Sequence, residues 1–151
     1  MSFFFMLVAI WGLLHIPPIS RFTMTRTSRN KAAVAMGLSF LFTGTWHFTS
    51  PEIFDAMMPP YLPFPRNLIY LSGLFEILGG IGIILPRTRR LAGLCLALLL
   101  ICVVPANVHV AMNNVHLPGT PQHPWYNWAR VAFQLVFVVW ALWSSRRSYD
   151  F

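Results

Sequence analysis

A chain of 151 residues that is 56% apolar and 10% charged, with a mean hydropathy of +0.60, has too few charges to clothe a soluble domain; soluble domains carry about 25% charged residues. The formal charge of +7 would suit nucleic acid. The basic residues instead cluster between apolar stretches, which is a membrane-topology pattern and excludes nucleic acid as the expected partner.

The length suits one domain, residues 1–151. The first apolar stretch runs from Phe3 to Ile16 and, with its flanking residues, predicts a helix over 3–19. Met1 and Ser2 put no basic residue before it, and no small-x-small cleavage site follows, so a retained helix is expected rather than a signal peptide. Arg21, Arg26, Arg29 and Lys31 precede the second stretch, Ala32 to Phe48. A proline-rich, aromatic loop from Thr49 to Arg66 comes next, stiffened because each proline fixes φ. The third stretch, Leu68 to Leu85, and the fourth, Leu91 to Val110, are joined by the short turn Pro86 to Arg90, which makes them antiparallel neighbours. A kink is expected at Pro105. A polar loop from Asn113 to Trp125 leads to the fifth stretch, Trp128 to Trp143, followed by Arg146 and Arg147. Crossing a bilayer takes about 17–25 helical residues, which the third and fourth stretches meet easily. No stretch alternates apolar and polar residues, so a strand reading fails.

In a five-pass topology, Arg21, Arg26, Arg29, Lys31, Arg87, Arg89, Arg90, Arg146 and Arg147 fall on one side. Only Arg66 and Arg130 remain for the other. The positive-inside rule then places the N-terminus outside and the C-terminus in the cytoplasm, in a multi-pass membrane protein such as one of a bacterial inner membrane. Trp46, Trp125 and Trp128 would mark the outer interface, and Trp140 and Trp143 the inner one. Gly37 and Gly44 on the second helix, and Gly73, Gly79, Gly80 and Gly82 on the third, predict close helix seams. Cys95 and Cys102 lie about 10 Å apart along one helix. That exceeds the roughly 7 Å Cα separation a disulfide allows. With no CxxC, the simplest thiol-redox chemistry is missing.

The polar residues within the spans concentrate in the outer half. At about 1.5 Å per residue, Glu76 lies about 13 Å below Asn67 and Gln134 about 10 Å below the outer end of the last helix. His47, Asn107 and His109 lie near the outer ends of their helices. Asn127, Arg130 and Gln134 share one helical face. Ionisable groups in a membrane face the interior and pair, so Glu76 is expected to meet Arg130, directly or through Gln134 or a water. These residues predict an outward-opening polar pocket under the proline-rich loop. Glu76 would accept or relay a proton with His47 serving at the pocket mouth, the two as the catalytic residues, and Asn107, His109, Arg130 and Gln134 would bind a ligand. His47, Glu76 and His109 have metal-ligating types, but their depths differ and no HxxxH or HxxE spacing exists, so no metal is expected.

Gly44-Thr45-Trp46-His47-Phe48-Thr49-Ser50-Pro51-Glu52-Ile53-Phe54, Pro60-Tyr61-Leu62-Pro63, Ser72-Gly73-Leu74-Phe75-Glu76-Ile77-Leu78-Gly79-Gly80, Pro86 with Arg89-Arg90, and Val104-Pro105-Ala106-Asn107 together resemble DoxX-family membrane proteins over residues 32–143. The resemblance implies an all-α fold, an antiparallel four-helix transmembrane bundle, here with an additional N-terminal hydrophobic helix. Relatives include subunits linked to thiosulfate:quinone oxidoreduction and accessory membrane proteins. The added first segment and the missing dithiol depart from the redox members.

Two function classes follow. The pocket binds a small amphipathic molecule such as a quinone, in a redox-associated role. Alternatively, the chain is a non-catalytic scaffold that docks a membrane partner or a second copy through its proline-rich loop, with lipid as its surroundings.

Overall fold

A computed structural model describes residues 2–17, 27–118, 120, 121 and 123–146. Every regular element among them is a helix: α1 Ser2–Leu13, α2 Ser28–Thr49, α3 Pro51–Asp55, α4 Pro65–Ile84, α5 Arg89–Cys102, α6 Val104–Met112 and α7 Pro124–Ser144. The expected first helix over 3–19 is shorter than its apolar run. It ends at Leu13 and passes into turns, while Pro18 and Ile19, like Arg21, Arg26 and Arg147, lie outside the described residues.

Local chemistry explains the boundaries. Thr27 caps α2, its hydroxyl accepting from the Asn30 amide at 3.2 Å. Pro65 opens α4 at the position where a missing N–H costs nothing. The C-terminus of α4 leaves carbonyls without intrahelical donors. Thr88 Oγ1 donates to Gly82 O at 2.9 Å, and the buried Arg89 donates to Ile83 O and Ile84 O at 3.1 and 3.3 Å. Arg89 also donates to Asn30 Oδ1 of α2 at 2.6 Å, so this charge staples two helices as well as marking an end. The fourth apolar stretch breaks at Val103, between α5 and α6, where Pro105 cannot continue the ladder. Asn114, at φ 47°, closes α6 in the left-handed conformation, with Val115 N–H donating to Val110 O at 3.1 Å.

The helices pack in a ring: α2 on α4, α4 on α5, α5 and α6 on α7, and α7 back on α2. The α2–α4 seam is the most extensive, and its closeness comes from two reciprocal glycine pairs. A Cβ on Gly37 would lie 2.6 Å from Gly80 O, and one on Gly80 would lie 2.8 Å from Gly37 O. Gly44 and Gly73 repeat the arrangement two turns away, at 2.9 and 3.0 Å. Gly82 similarly admits Ala92 of α5. Helix α1 lies outside the ring against α2 and α7. Phe3 packs on Phe40 and Phe137, Phe4 on Phe133, and Trp11 edge-on to Trp140.

Alternating helix directions gather Arg29, Lys31, Arg87, Arg89, Arg90 and Arg146 at one end of the ring. Glu52, Asp55 and Arg66 lie at the other, with Arg66 paired to Asp55 at 2.7 Å and to Glu52 at 3.8 Å. The outward faces are apolar, exposing Leu78 of α4, Leu91 and Leu98 of α5, and Leu135 and Val139 of α7. Two stretches are long and apolar enough to cross a membrane: Pro65–Ile84 and the α5–α6 rod, Arg89–Met112.

Candidate functional site

A half-open cavity of about 250 Å³ lies within the ring toward the end that carries Glu52, Asp55 and Arg66, its lining completed by Phe3 of α1 and by Leu117 and Thr120 before α7. Its walls are apolar inward, at Phe40, Leu100, Phe133 and Phe137, and polar outward. Helix α3 and the turn after it form a roof, through Phe54 and Met57.

One polar wall comes from α2 and α4. Because Gly44 and Gly73 carry no side chains, the two backbones approach closely enough for Thr43 to reach Glu76. A Cβ on Gly73 would lie 2.6 Å from the His47 Cβ, and one on Gly44 would lie 3.0 Å from the Glu76 Cβ. Thr43 Oγ1 donates to Glu76 Oε2 at 2.7 Å. His47 Nδ1 lies 2.8 Å from Thr43 O; a carbonyl only accepts, so Nδ1 carries the proton. The same nitrogen is 3.8 Å from Glu76 Oε2. The buried imidazole stacks under Phe54, with ring centroids 3.7 Å apart. His47 therefore belongs to the roofed wall of the cavity and not to an open mouth.

The opposite wall comes from α5, α6 and α7. The break at Val103 leaves Leu100 O to accept from Gln134 Nε2 at 2.8 Å. Gln134 Oε1 accepts from Asn107 Nδ2 at 2.9 Å, and Asn107 Oδ1 accepts from Arg130 Nη2 at 3.0 Å. This relay fixes the orientation of both amides and holds Arg130 over the cavity. Met57 Sδ lies 3.9 Å from the same Nη2, and Arg130 Nη1 is buried without a hydrogen-bond partner.

The structure thus brings His47, Glu76, Asn107, Arg130 and Gln134 to one cavity. His109 is elsewhere: its Nδ1 lies 3.0 Å from Asn113 Nδ2 at the end of α6, and it does not line the cavity. The expected Glu76–Arg130 ion pair is not formed. The two residues sit on α4 and α7, which are diagonal in the ring, and each hydrogen-bonds to a neutral side chain of its own wall. Gln134 is committed to Asn107 and Leu100, so it positions the wall. Thr43 and the roof residues Phe54 and Met57 were missed by sequence reasoning. The Thr43–His47 spacing of four, which places both on one helical face, was the available signal for Thr43. Among the described residues no group of three metal-ligating side chains converges.

Residues 36–145 match the family described as a domain of unknown function (DUF8561). The chain belongs to that family. The match takes in every polar cavity residue and leaves α1 outside. No curated protein and no solved structure matches this DUF8561 member.

Proposed function

We propose that this DUF8561 member is a multi-pass membrane protein, a DoxX-like four-helix transmembrane bundle with an added N-terminal helix, whose outer-half cavity binds a small amphipathic molecule. The observation that carries the reading is the cavity itself. It has an apolar floor, a carboxyl group on one wall and a guanidinium on the other, with no ion pair between them to account for two costly groups.

Several features support the membrane setting. Large apolar side chains cover the outside of the ring, and the basic residues gather at one end, which the positive-inside rule assigns to the cytoplasm. Of the two basic residues nearer the other end, Arg66 is neutralised by Asp55 and Arg130 faces the cavity. A helix break at membrane depth is tolerated only where it is buried in protein or lines a cavity. Val103 lies about 14 Å from the outer end of α6 and lines this one.

A quinone in a redox-associated role is the candidate that the DoxX resemblance supplies. Arg130 would hold an oxygen of the head group, Glu76 would exchange a proton, and the phenylalanines would receive the start of the tail. The test is a thermal melt of delipidated protein with and without decyl-ubiquinone. Saturation at 100 times Kd stabilises by about 2.7 kcal/mol, and Phe133→Trp, which fills the cavity, should abolish the shift. No shift in the wild type, together with no amphipath extracted from the fresh preparation, would overturn the reading.

A second reading, a partner-docking scaffold, is favoured by the tip of the proline-rich loop. Tyr61 and Phe64 are 71% and 76% exposed, and Phe64 holds a left-handed backbone at φ 52°. Such conformations are uncommon for bulky residues. Replacing both with serine should then release a membrane partner that cross-links to the wild type.

A further inference from the structure

We infer that the head group taken by the cavity is an anion, specifically a carboxylate on an apolar chain, bound by Arg130. The inference rests on the cavity being an amphipath site and narrows what that amphipath is.

A guanidinium stays protonated in proteins, and none of the groups beside Arg130 is a carboxylate: they are Asn107 Oδ1, Met57 Sδ and the Tyr126 side chain. Three of the four acidic residues lie among the described residues and can be followed individually. Glu52 and Asp55 are held by Arg66 at the outer rim, and Glu76 is held on the far wall by Thr43, with His47 Nδ1 beside it. Among the described residues, none lies within ion-pair distance of Arg130. Arg130 Nη1 also lacks any hydrogen-bond partner. A cation over an apolar-lined cavity without a counter-charge is costly, and a ligand that brings the counter-charge removes that cost. The planar fork of guanidinium matches the two oxygens of a carboxylate. A neutral quinone carbonyl can accept one hydrogen bond there but leaves the charge uncompensated.

Shape agrees with a head group on a chain. The volume, about 250 Å³, falls below the roughly 300–1,000 Å³ of sites that enclose a drug-sized molecule. Phe133 and Phe137 follow Arg130 inward along α7, and Phe40 and Leu100 lie at matching depth on α2 and α5. A carboxylate at Arg130 therefore places its first methylenes against four apolar side chains.

The test is native mass spectrometry of the full chain released from detergent, offered an equimolar mixture of dodecanoate, dodecanol and decyl-ubiquinone. The dodecanoate adduct should dominate. Arg130→Gln should weaken it roughly 10–100-fold, the loss of a charge-assisted hydrogen bond. Arg66→Gln removes a positive charge from the same end outside the cavity and should leave the adduct intact. Dodecanol or decyl-ubiquinone binding as well as dodecanoate in the wild type would overturn the anion assignment while leaving the cavity reading standing, and that comparison needs no variant to fold. Absence of all three adducts would overturn both.

Discussion

The glycine seam between α2 and α4 can be tested by one methyl group. Gly80→Ala places a Cβ 2.8 Å from Gly37 O and 3.3 Å from both the amide nitrogen and Cγ of Leu41. Close carbon–oxygen contacts between helices settle at about 3.3–3.6 Å, so the deficit is roughly half an ångström. Two of the three obstacles are backbone atoms, which cannot rotate away. Overpacking of this kind costs about 1–3 kcal/mol, offset by up to about 1 kcal/mol because alanine favours helix over glycine. The expected net loss is about 1–2 kcal/mol, a fall in Tm of several degrees at about 2–4 °C per kcal/mol for a chain of this size. Gly12 of α1 is the internal control, because a Cβ there meets nothing within 4 Å. Gly12→Ala keeps the propensity gain without the clash and should leave stability unchanged or raise it. Differential scanning fluorimetry in one detergent would compare the two. A Gly80→Ala protein as stable as the wild type, or a Gly12→Ala protein that loses more, would refute the close-approach argument.

Glu76→Gln, Arg130→Gln and the double variant should lose stability additively, within about 0.5 kcal/mol, because the two groups occupy separate walls; a double variant markedly more stable than the sum of the singles would mean that they pair after all. Arg89→Ala should cost about 2–3 kcal/mol through its bonds to Ile83 O, Ile84 O and Asn30, whereas the exposed neighbour Arg90→Ala should change stability by less than about 0.5 kcal/mol. In a variant lacking Cys95 and Cys102, an impermeant maleimide applied to intact cells should label Ala56→Cys in the turn after α3 and spare Thr88→Cys in the basic turn; the opposite pattern would reverse the proposed topology.

Depth along a helix was legible in part, and azimuth was not: His47, set at an outer end well above Glu76, lies with its Nδ1 3.8 Å from the Glu76 carboxylate. A rise of about 1.5 Å per residue is the same in every helix, so Glu76 and Gln134 could be set at similar levels. Which helices neighbour one another in the ring depends on contacts between distant segments. Glu76 and Arg130 were therefore matched by depth and sign, while the ring sets their helices on a diagonal. The break near Pro105 was legible because proline removes a donor whatever surrounds it. Gln134 taking the freed Leu100 carbonyl was not, since it requires knowing that α7 packs on α5. His109 was grouped with the pocket on depth alone and faces another way. Arg89 read as one more basic residue at a helix end; only the fold reveals its role as a staple between α2 and α4. The glycines announced close seams, but only the paired helices show that Gly44 and Gly73 also make room for Glu76 and His47.

The central claim is that the cavity between the two polar walls holds the head of an amphipath. Photolabelling tests it most directly, using a fatty carboxylate with a diazirine near its head group, added to membranes containing the protein and followed by peptide mass mapping. The account predicts adducts on cavity residues, with Leu100, Phe133 and Phe137 foremost, and their suppression by excess dodecanoate. Adducts confined to outward-facing residues such as Leu98, Leu135 and Val139, unaffected by dodecanoate, would contradict it.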